Sequence, residues 1–253
     1  MFRSIRLGRL WGIDVFVHFT FLLFLLYFGW QEWDVAKAEG LSDHDAFHSA
    51  ANVVALICGI FCCVVLHEYG HALTARRFGI GTVDITLLPI GGVARLERIP
   101  EKPMQELIVA VMGPAVNVVI IVVLLAMFGV SHFLNWDRFA KHQGEWMHGL
   151  NVWGGFFKNI LWANVAMVVF NLIPAFPMDG GRVLRALLAM RIGRVRATQI
   201  AAGIGKVLAV GLAVWGFSKH QYLLLFTATF VWIGASQEAA SVRYQAQRLP
   251  DES

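Results

Sequence analysis

The sequence predicts an all-α polytopic membrane protein with about six transmembrane helices and a short membrane-associated β-hairpin between the second and third. Hydrophobic residues make up 57% of the 253 residues and charged residues only 15%, against about 45–50% and about 25% in ordinary soluble domains. The apolar residues are gathered in long runs, and most basic residues lie in alternate loops between them. This composition excludes a soluble globular protein, and no nucleic-acid partner is expected.

Six apolar runs are close to the length of about 20 residues that a helix needs to cross a bilayer. They cover residues 15–30, 51–74, 107–134, 156–173, 197–217 and 222–239. The first run is not followed by a small-residue cleavage site, so it is predicted to be a span and not a signal peptide.

The basic residues predict the direction of the spans. Most of the 21 Lys and Arg residues fall in segments that share one side of the membrane if the chain crosses it six times. They are Arg3, Arg6, Arg9, Arg76, Arg77, Arg95, Arg98, Lys102, Arg182, Arg185, Arg191, Arg194, Arg196, Arg243 and Arg248. The positive-inside rule makes that side cytoplasmic, so both termini are expected in the cytoplasm. The expected location is a prokaryotic cell membrane. The opposite loops, 31–47 and 135–150, have no such excess, and Trp136 and Trp146 are expected to be interface anchors.

The segment His67-Glu68-Tyr69-Gly70-His71 ends the apolar run 53–66 and matches the HExxH zinc-binding pattern. On a helix, His67 and His71 project from one face, so two imidazoles can hold one Zn²⁺. Glu68 would lie beside the metal and could take a proton from a water that the metal activates. Ionisable residues are costly inside a bilayer and usually functional there, which favours a catalytic zinc site.

A catalytic zinc usually has three protein ligands, and Asp179 is the best candidate for the third. Pro174 and Pro177 should break the fourth helix, and Gly180-Gly181 should permit a sharp turn before the next one. An alternative is that Asp179 only caps the helix that starts near Gly180. The presence of HExxH in the same chain makes ligation the favoured interpretation.

Four other residues have two interpretations each. Asn117 could donate to a developing oxyanion or hold substrate, or it could form a hydrogen bond between helices. Cys58, Cys62 and Cys63 precede the zinc motif and could be further ligands, but small apolar packing residues are favoured. Their odd number within one helix offers no disulfide framework.

A β-hairpin is predicted between the second and third spans. Residues 82–87 and 93–96 are rich in β-forming side chains and flank the turn residues 89–92. The edge of this hairpin could pair with an unwound substrate, since strand addition satisfies exposed amides. An ordinary interfacial hairpin is the alternative.

The chain resembles the site-2 protease family of intramembrane zinc metalloproteases. The resemblance covers nearly the whole chain and rests on the HEYGH segment, on Gly113-Pro114-Ala115-Val116-Asn117 in the third span, and on the segment from Asn171 to Gly180. It implies a hairpin that dips into the membrane beside the active site, and a cut within or near a transmembrane segment of the substrate.

The resemblance also implies roles for individual residues. His67, His71 and Asp179 would be zinc ligands, and Glu68 would be the general base. Asn117 would hold substrate or stabilise the oxyanion.

The expected function is therefore that of an intramembrane zinc metalloprotease. Its partners would be transmembrane protein or peptide substrates and the lipid bilayer; its oligomeric state is not predicted. Residues 1–240 are expected to form the protease domain and 241–253 a short cytoplasmic tail, with no PDZ or CBS domain visible. The alternatives are a membrane metal carrier and a catalytically inactive scaffold that binds membrane proteins. Glu68 argues against a carrier, which needs no general base.

Overall fold

The computed structural model describes residues 4–129 and 148–248, and these are mostly helical. In chain order the elements are β1 (Ser4–Leu10), β2 (Ile13–His18), α1 (Phe19–Ala38), α2 (Asp43–Arg77), β3 (Thr82–Leu88), β4 (Gly91–Leu96), α3 (Pro103–Phe128), α4 (His148–Asn171), α5 (Asp179–Ile192), α6 (Arg194–Ser218) and α7 (Tyr222–Arg248). The predicted loop 135–150, with Trp136 and Trp146, lies outside the described residues except for its last three, which begin α4. The end of the predicted third span, 130–134, also lies outside them.

Three helices within the described ranges are long and apolar enough to cross a membrane. They are α2, α3 and α6, and each coincides with a predicted span. Helices α1, α4 and α7 also overlap predicted spans but do not meet the same criteria of length, hydropathy and charge. Each of the six predicted spans therefore overlaps a helix, and three of these helices are long and apolar enough to be membrane crossings.

The predicted hairpin is part of a larger sheet. Strands β3 and β4 pair antiparallel, as predicted, and the sheet continues through β2 to β1 in the order β1-β2-β3-β4. β1 and β2 form an antiparallel hairpin whose two-residue turn, Trp11 and Gly12, has positive φ at both positions, as a type I′ turn requires. β2 and β3 run parallel, in a register from Asp14 opposite Asp84 to Val17 opposite Leu87.

This sheet corrects the predicted start of the first span. Residues 15–18 belong to β2, and the helix begins only at Phe19. Ile13, Val15 and Val17 are buried and the intervening residues are not, which is the alternation of a strand. The apolar run continues into α1, and the strand boundary depends on distant pairing with β3.

The described chain falls into two compact units. Unit 1 comprises Met1–Glu97 and Ala115–Val168, and unit 2 comprises Arg98–Pro114 and Val169–Ser253. In unit 1 the sheet packs on α2: Ile13, Val15 and Ile85 form a buried cluster with Tyr69 and Ala72. The Tyr69 hydroxyl donates a hydrogen bond to the Leu10 carbonyl at 3.0 Å, which ties the N-terminal hairpin to the helix of the HExxH motif.

In unit 2, small residues allow close packing of helices. Ala201 and Ala202 of α6 and Ala235 of α7 form a buried cluster with Phe176. A Cβ at Gly205 would lie 3.4 Å from the Ala235 Cβ, so helix α6 approaches α7 closely there. Helix α7 continues to Arg248, so residues 241–248 of the predicted tail are helical.

Candidate metal centre

The two histidines of the HExxH motif lie on one face of α2, as predicted. His67 and His71 are buried, with 5% and 4% of their surface exposed. Their Nε2 atoms are 3.1 Å apart, and the ring planes are inclined at 80°. Two Nε2 atoms this close together on one helix face can both bind one tetrahedral metal ion.

Asp179 is the third buried residue of the predicted ligand set. His67, His71 and Asp179 are all buried, and each offers one atom that could bind a metal ion. Two imidazoles and one carboxylate suit zinc and leave a fourth position for water or substrate.

The segment before Asp179 breaks the helix as predicted. α4 ends at Asn171, the irregular residues 172–178 contain Pro174 and Pro177, and α5 begins at Asp179 itself. The N-cap of α5 is Met178, which makes no capping hydrogen bond with its side chain. The interpretation of Asp179 as the N-cap is therefore wrong by one position, because its backbone is already helical. Asn171 is the last residue of α4.

The two glycines after Asp179 serve a different purpose from the predicted one. Neither Gly180 nor Gly181 has a positive φ, and both lie in the first turn of α5. A Cβ at Gly180 would lie 2.3 Å from the Ile173 carbonyl oxygen, and one at Gly181 would lie 2.7 Å from the carbonyl carbon of Ala175. The glycines therefore allow α5 to pack directly on the irregular backbone of the preceding segment. Neither of them forms a turn.

Glu68 is half-buried, and the sheet holds its carboxylate. The backbone N–H of Ala94 in β4 donates a hydrogen bond to Glu68 Oε2 at 3.1 Å. A Cβ at Gly92 would lie 2.9 Å from Glu68 Cγ and from Val64 Cγ1, so the glycine lets β4 approach α2. The predicted hairpin thus orients the predicted general base, a role that its sequence did not signal.

An ion pair braces β4 against β3 near this contact. Arg95 donates to both carboxylate oxygens of Asp84, with Nε to Oδ1 at 2.8 Å. The hydrogen bonds from Arg95 hold the pKa of the Asp84 carboxyl below its usual value, and those from Asp84 raise the pKa of the guanidinium. Asp84 stays ionised, and the strand that contacts Glu68 is fixed in register.

Asn117 is fully buried on α3 and contacts a predicted ligand directly. His67 Nδ1 is 2.5 Å from Asn117 Oδ1. Asn117 Nδ2 donates to Asn164 Oδ1 at 2.7 Å, and Asn164 Nδ2 donates to the Ile160 carbonyl at 2.8 Å. Asn164 was not singled out in the sequence, although an amide within an apolar run is a detectable signal.

A second buried polar group, in unit 2, was also missed. Arg185 of α5 is 1% exposed and donates to Glu106 at the start of α3 and to Glu238 of α7. Its guanidinium carbon lies 5.0 Å from the centre of the Phe176 ring, within the irregular segment before Asp179. From its sequence Arg185 was predicted only to be a cytoplasmic charge, but the structure buries it between two carboxylates.

The cysteines are free thiols, and none belongs to the His67, His71 and Asp179 group. Cys63 is buried against Leu124, Ile160 and Leu161, as expected of a packing residue.

Comparisons with known proteins identify the family. The sequence model that describes peptidase family M50 matches residues 55–212 of this chain. A zinc metalloprotease of Methanocaldococcus jannaschii is 35% identical over 96% of this chain and 62% of its own length. Stage IV sporulation protein FB of Bacillus subtilis is 25% identical over 64% of this chain and 49% of its own length. The chain thus spans about half to three-fifths of the length of these relatives.

The fold has a counterpart among solved structures. The site-2 protease from Methanocaldococcus jannaschii superposes with a TM-score of 0.59 and 33% sequence identity, over 99% of this chain and 98% of that one. The matched residues include the HExxH motif, Asn117 and Asp179. The chain belongs to peptidase family M50, the site-2 protease family.

Proposed function

We propose that this protein is an intramembrane zinc metalloprotease that hydrolyses peptide bonds within or near transmembrane segments of membrane proteins. The observation that carries the proposal is the pair of buried Nε2 atoms of His67 and His71, 3.1 Å apart, with Glu68 adjacent in the same helical turn. Membership of family M50 and the apolar helices α2, α3 and α6 support the same conclusion.

The residues present fit zinc. His67, His71 and Asp179 would be its ligands, because two imidazoles and one carboxylate are a common donor set of catalytic zinc. When bound, zinc acts as a Lewis acid that polarises the substrate carbonyl and makes water more acidic.

Glu68 is the general base in this proposal. Its carboxylate accepts the proton of the attacking water as the water oxygen bonds to the peptide carbonyl carbon, and a proton then passes to the leaving nitrogen as the C–N bond breaks. The hydrogen bond from the Ala94 N–H to Oε2 orients the Glu68 side chain for this role. Asn117 contacts His67, which supports a role beside the metal in preference to the predicted donation to an oxyanion.

The proposed substrate is a transmembrane protein or peptide whose backbone is extended at the cut. β4 is an edge strand of the sheet and its Ala94 touches the general base. A substrate strand added to this edge would satisfy its own exposed amides in the membrane, where unpaired groups are costly.

The proposed topology has six crossings with both termini cytoplasmic, in a prokaryotic cell membrane. The predicted spans that coincide with α1, α4 and α7 would be the three further crossings. Residues 1–240 would form the protease domain, and 241–253 a cytoplasmic tail whose first part extends α7.

The test is the substitution Glu68→Gln in purified protein, assayed with a panel of single-span substrates. Gln preserves the size of the side chain but cannot accept a proton, so hydrolysis should fall by about 10²- to 10⁴-fold. Bound zinc should stay at the wild-type level, since Glu68 is not a proposed ligand. Cleavage at the wild-type rate in a zinc-loaded variant would overturn the mechanism. Zinc binding by a wild-type protein that cleaves nothing in the panel would favour a carrier or scaffold.

A further inference from the structure

Two buried asparagines connect a predicted zinc ligand to the backbone of another helix. Asn117 of α3 and Asn164 of α4 are both 0% exposed. A buried amide without partners is strongly destabilising, so the positions of such groups are dictated by the hydrogen bonds they make. The residues that make these contacts, His67, Asn117, Asn164 and Ile160, all belong to unit 1.

The direction of each hydrogen bond in this series follows from the Ile160 carbonyl at its far end. The Ile160 carbonyl can only accept, so the Asn164 NH₂ group must face it, at 2.8 Å. Asn164 then presents Oδ1 to Asn117, whose NH₂ group must donate at 2.7 Å. Asn117 in turn presents Oδ1 to His67, so Nδ1 of His67 must carry the proton.

The protonation of Nδ1 determines what the other nitrogen can do. In a neutral imidazole with a proton on Nδ1, Nε2 is a lone-pair donor. His67 Nε2 is the atom that lies 3.1 Å from His71 Nε2. We call the hydrogen bonds that join Ile160, Asn164, Asn117 and His67 the amide relay. The relay holds His67 in the Nδ1-protonated tautomer, and at the ring angle, that ligation through Nε2 needs.

The opposite tautomer is disfavoured along the whole relay. It would require the Asn117 amide to rotate so that NH₂ faces His67, which would place Asn117 Oδ1 against Asn164 Oδ1. Asn164 would then have to rotate as well and would face the Ile160 carbonyl with its own oxygen. The Sδ atom of Met167, 3.7 Å from Asn117 Nδ2, adds a second acceptor that favours the observed orientation.

We infer that Asn164, acting through Asn117, is a positioning residue that fixes the tautomer and orientation of His67 for zinc. The inference rests on the proposed zinc site. It assigns Asn117 to the support of a ligand, and it gives Asn164 a function at a distance of two hydrogen bonds from that ligand, His67.

The test measures the zinc dissociation constant of the full chain by competition with a chelator. Asn164→Leu removes the anchor of the relay, so zinc should bind about 10- to 100-fold more weakly, as for other outer-sphere partners of metal ligands. Asn164→Ala should weaken binding in the same way without overpacking, if Leu is not tolerated. The matched control is Thr198→Val, because Thr198 is equally buried and also bonds the carbonyl four residues earlier, at 2.8 Å. This control should bind zinc as the wild type does.

A rescue variant separates positioning from a purely structural role. In Asn117→Asp combined with Asn164→Leu, the carboxylate can accept from His67 Nδ1 with either oxygen, so it needs no anchor. Zinc affinity should return toward the wild-type value. An Asn164→Leu protein with wild-type affinity would overturn the inference, as would a double variant that binds as weakly as Asn164→Leu alone. If the wild-type chain itself bound no zinc, the proposed function would fail instead.

Discussion

His67 and His71 lie on successive turns in the interior of a 35-residue helix, whereas Asp179 is the first residue of a 14-residue helix that follows an irregular segment. In unit 1, neutral amides hold a histidine through directional hydrogen bonds. In unit 2, α5 packs directly on the irregular backbone at Gly180 and Gly181, and Arg185 of the same helix is buried beside Glu106 and Glu238. The two kinds of support should fail in different ways.

The difference follows from the backbone around each ligand. A continuous helix satisfies its own amides and fixes the direction of each side chain, so only the ring orientation of the histidine must be controlled. An irregular segment has no such internal order and needs contacts from neighbouring elements. Disturbing unit 1 near its ligands should therefore affect metal binding first, and disturbing unit 2 should affect stability first.

The largest expected effect is on bound metal in unit 1. His67→Ala should remove most of the zinc, because the two remaining ligands hold the ion weakly. The metal content per chain, measured by mass spectrometry of the purified protein, checks this. His48→Ala is the matched control: His44 and His48 have the same spacing on the same helix, with Nε2 atoms 3.2 Å apart, but both are exposed. Full zinc occupancy in His67→Ala would rule out the proposed ligand set.

The second effect is on the stability of unit 2. Arg185→Met leaves the Glu106 and Glu238 carboxylates without their shared cation. Removing one partner from a buried ion pair costs about 3–5 kcal/mol, so unfolding of the detergent-solubilised protein should occur at a clearly lower temperature.

A compensated variant sharpens this result. Adding Glu106→Gln and Glu238→Gln to Arg185→Met removes the uncompensated charges and should restore much of the lost stability. If Arg185→Met unfolded at the wild-type temperature, the triad would not brace unit 2.

The smallest expected effect concerns the close contact beside Asp179. Gly180→Ala forces a Cβ against the Ile173 carbonyl, and overpacking of this kind costs about 1–3 kcal/mol. Gly203→Ala in α6 is the control, because its Cβ would meet nothing within 4 Å and alanine is the better helix former by about 1 kcal/mol. The melting temperatures of the two variants should move in opposite directions. A shift in the same direction would contradict the close-contact explanation for Gly180.

Much of the candidate site could be predicted because helical periodicity is local. The spacing of His67 and His71 was sufficient to place both imidazoles on one face, and the prolines were sufficient to end α4 before Asp179. The strand β2 was missed because the apolar run that continues into α1 hides a strand that is defined by pairing with β3, about 70 residues away. The strand β1 was not predicted, and it is defined by pairing with β2.

By itself, the sequence determined the apolar helices, the HExxH turn and the broken segment before Asp179, because these depend on residues that are neighbours along the chain. Only the tertiary structure decided that Ala94 holds Glu68, that Asn164 orients Asn117, and that Arg185 is buried between two glutamates. Each of these contacts joins residues 26 or more positions apart. A buried polar group takes the partner that the packed fold brings to it, and that choice has no signature in local spacing.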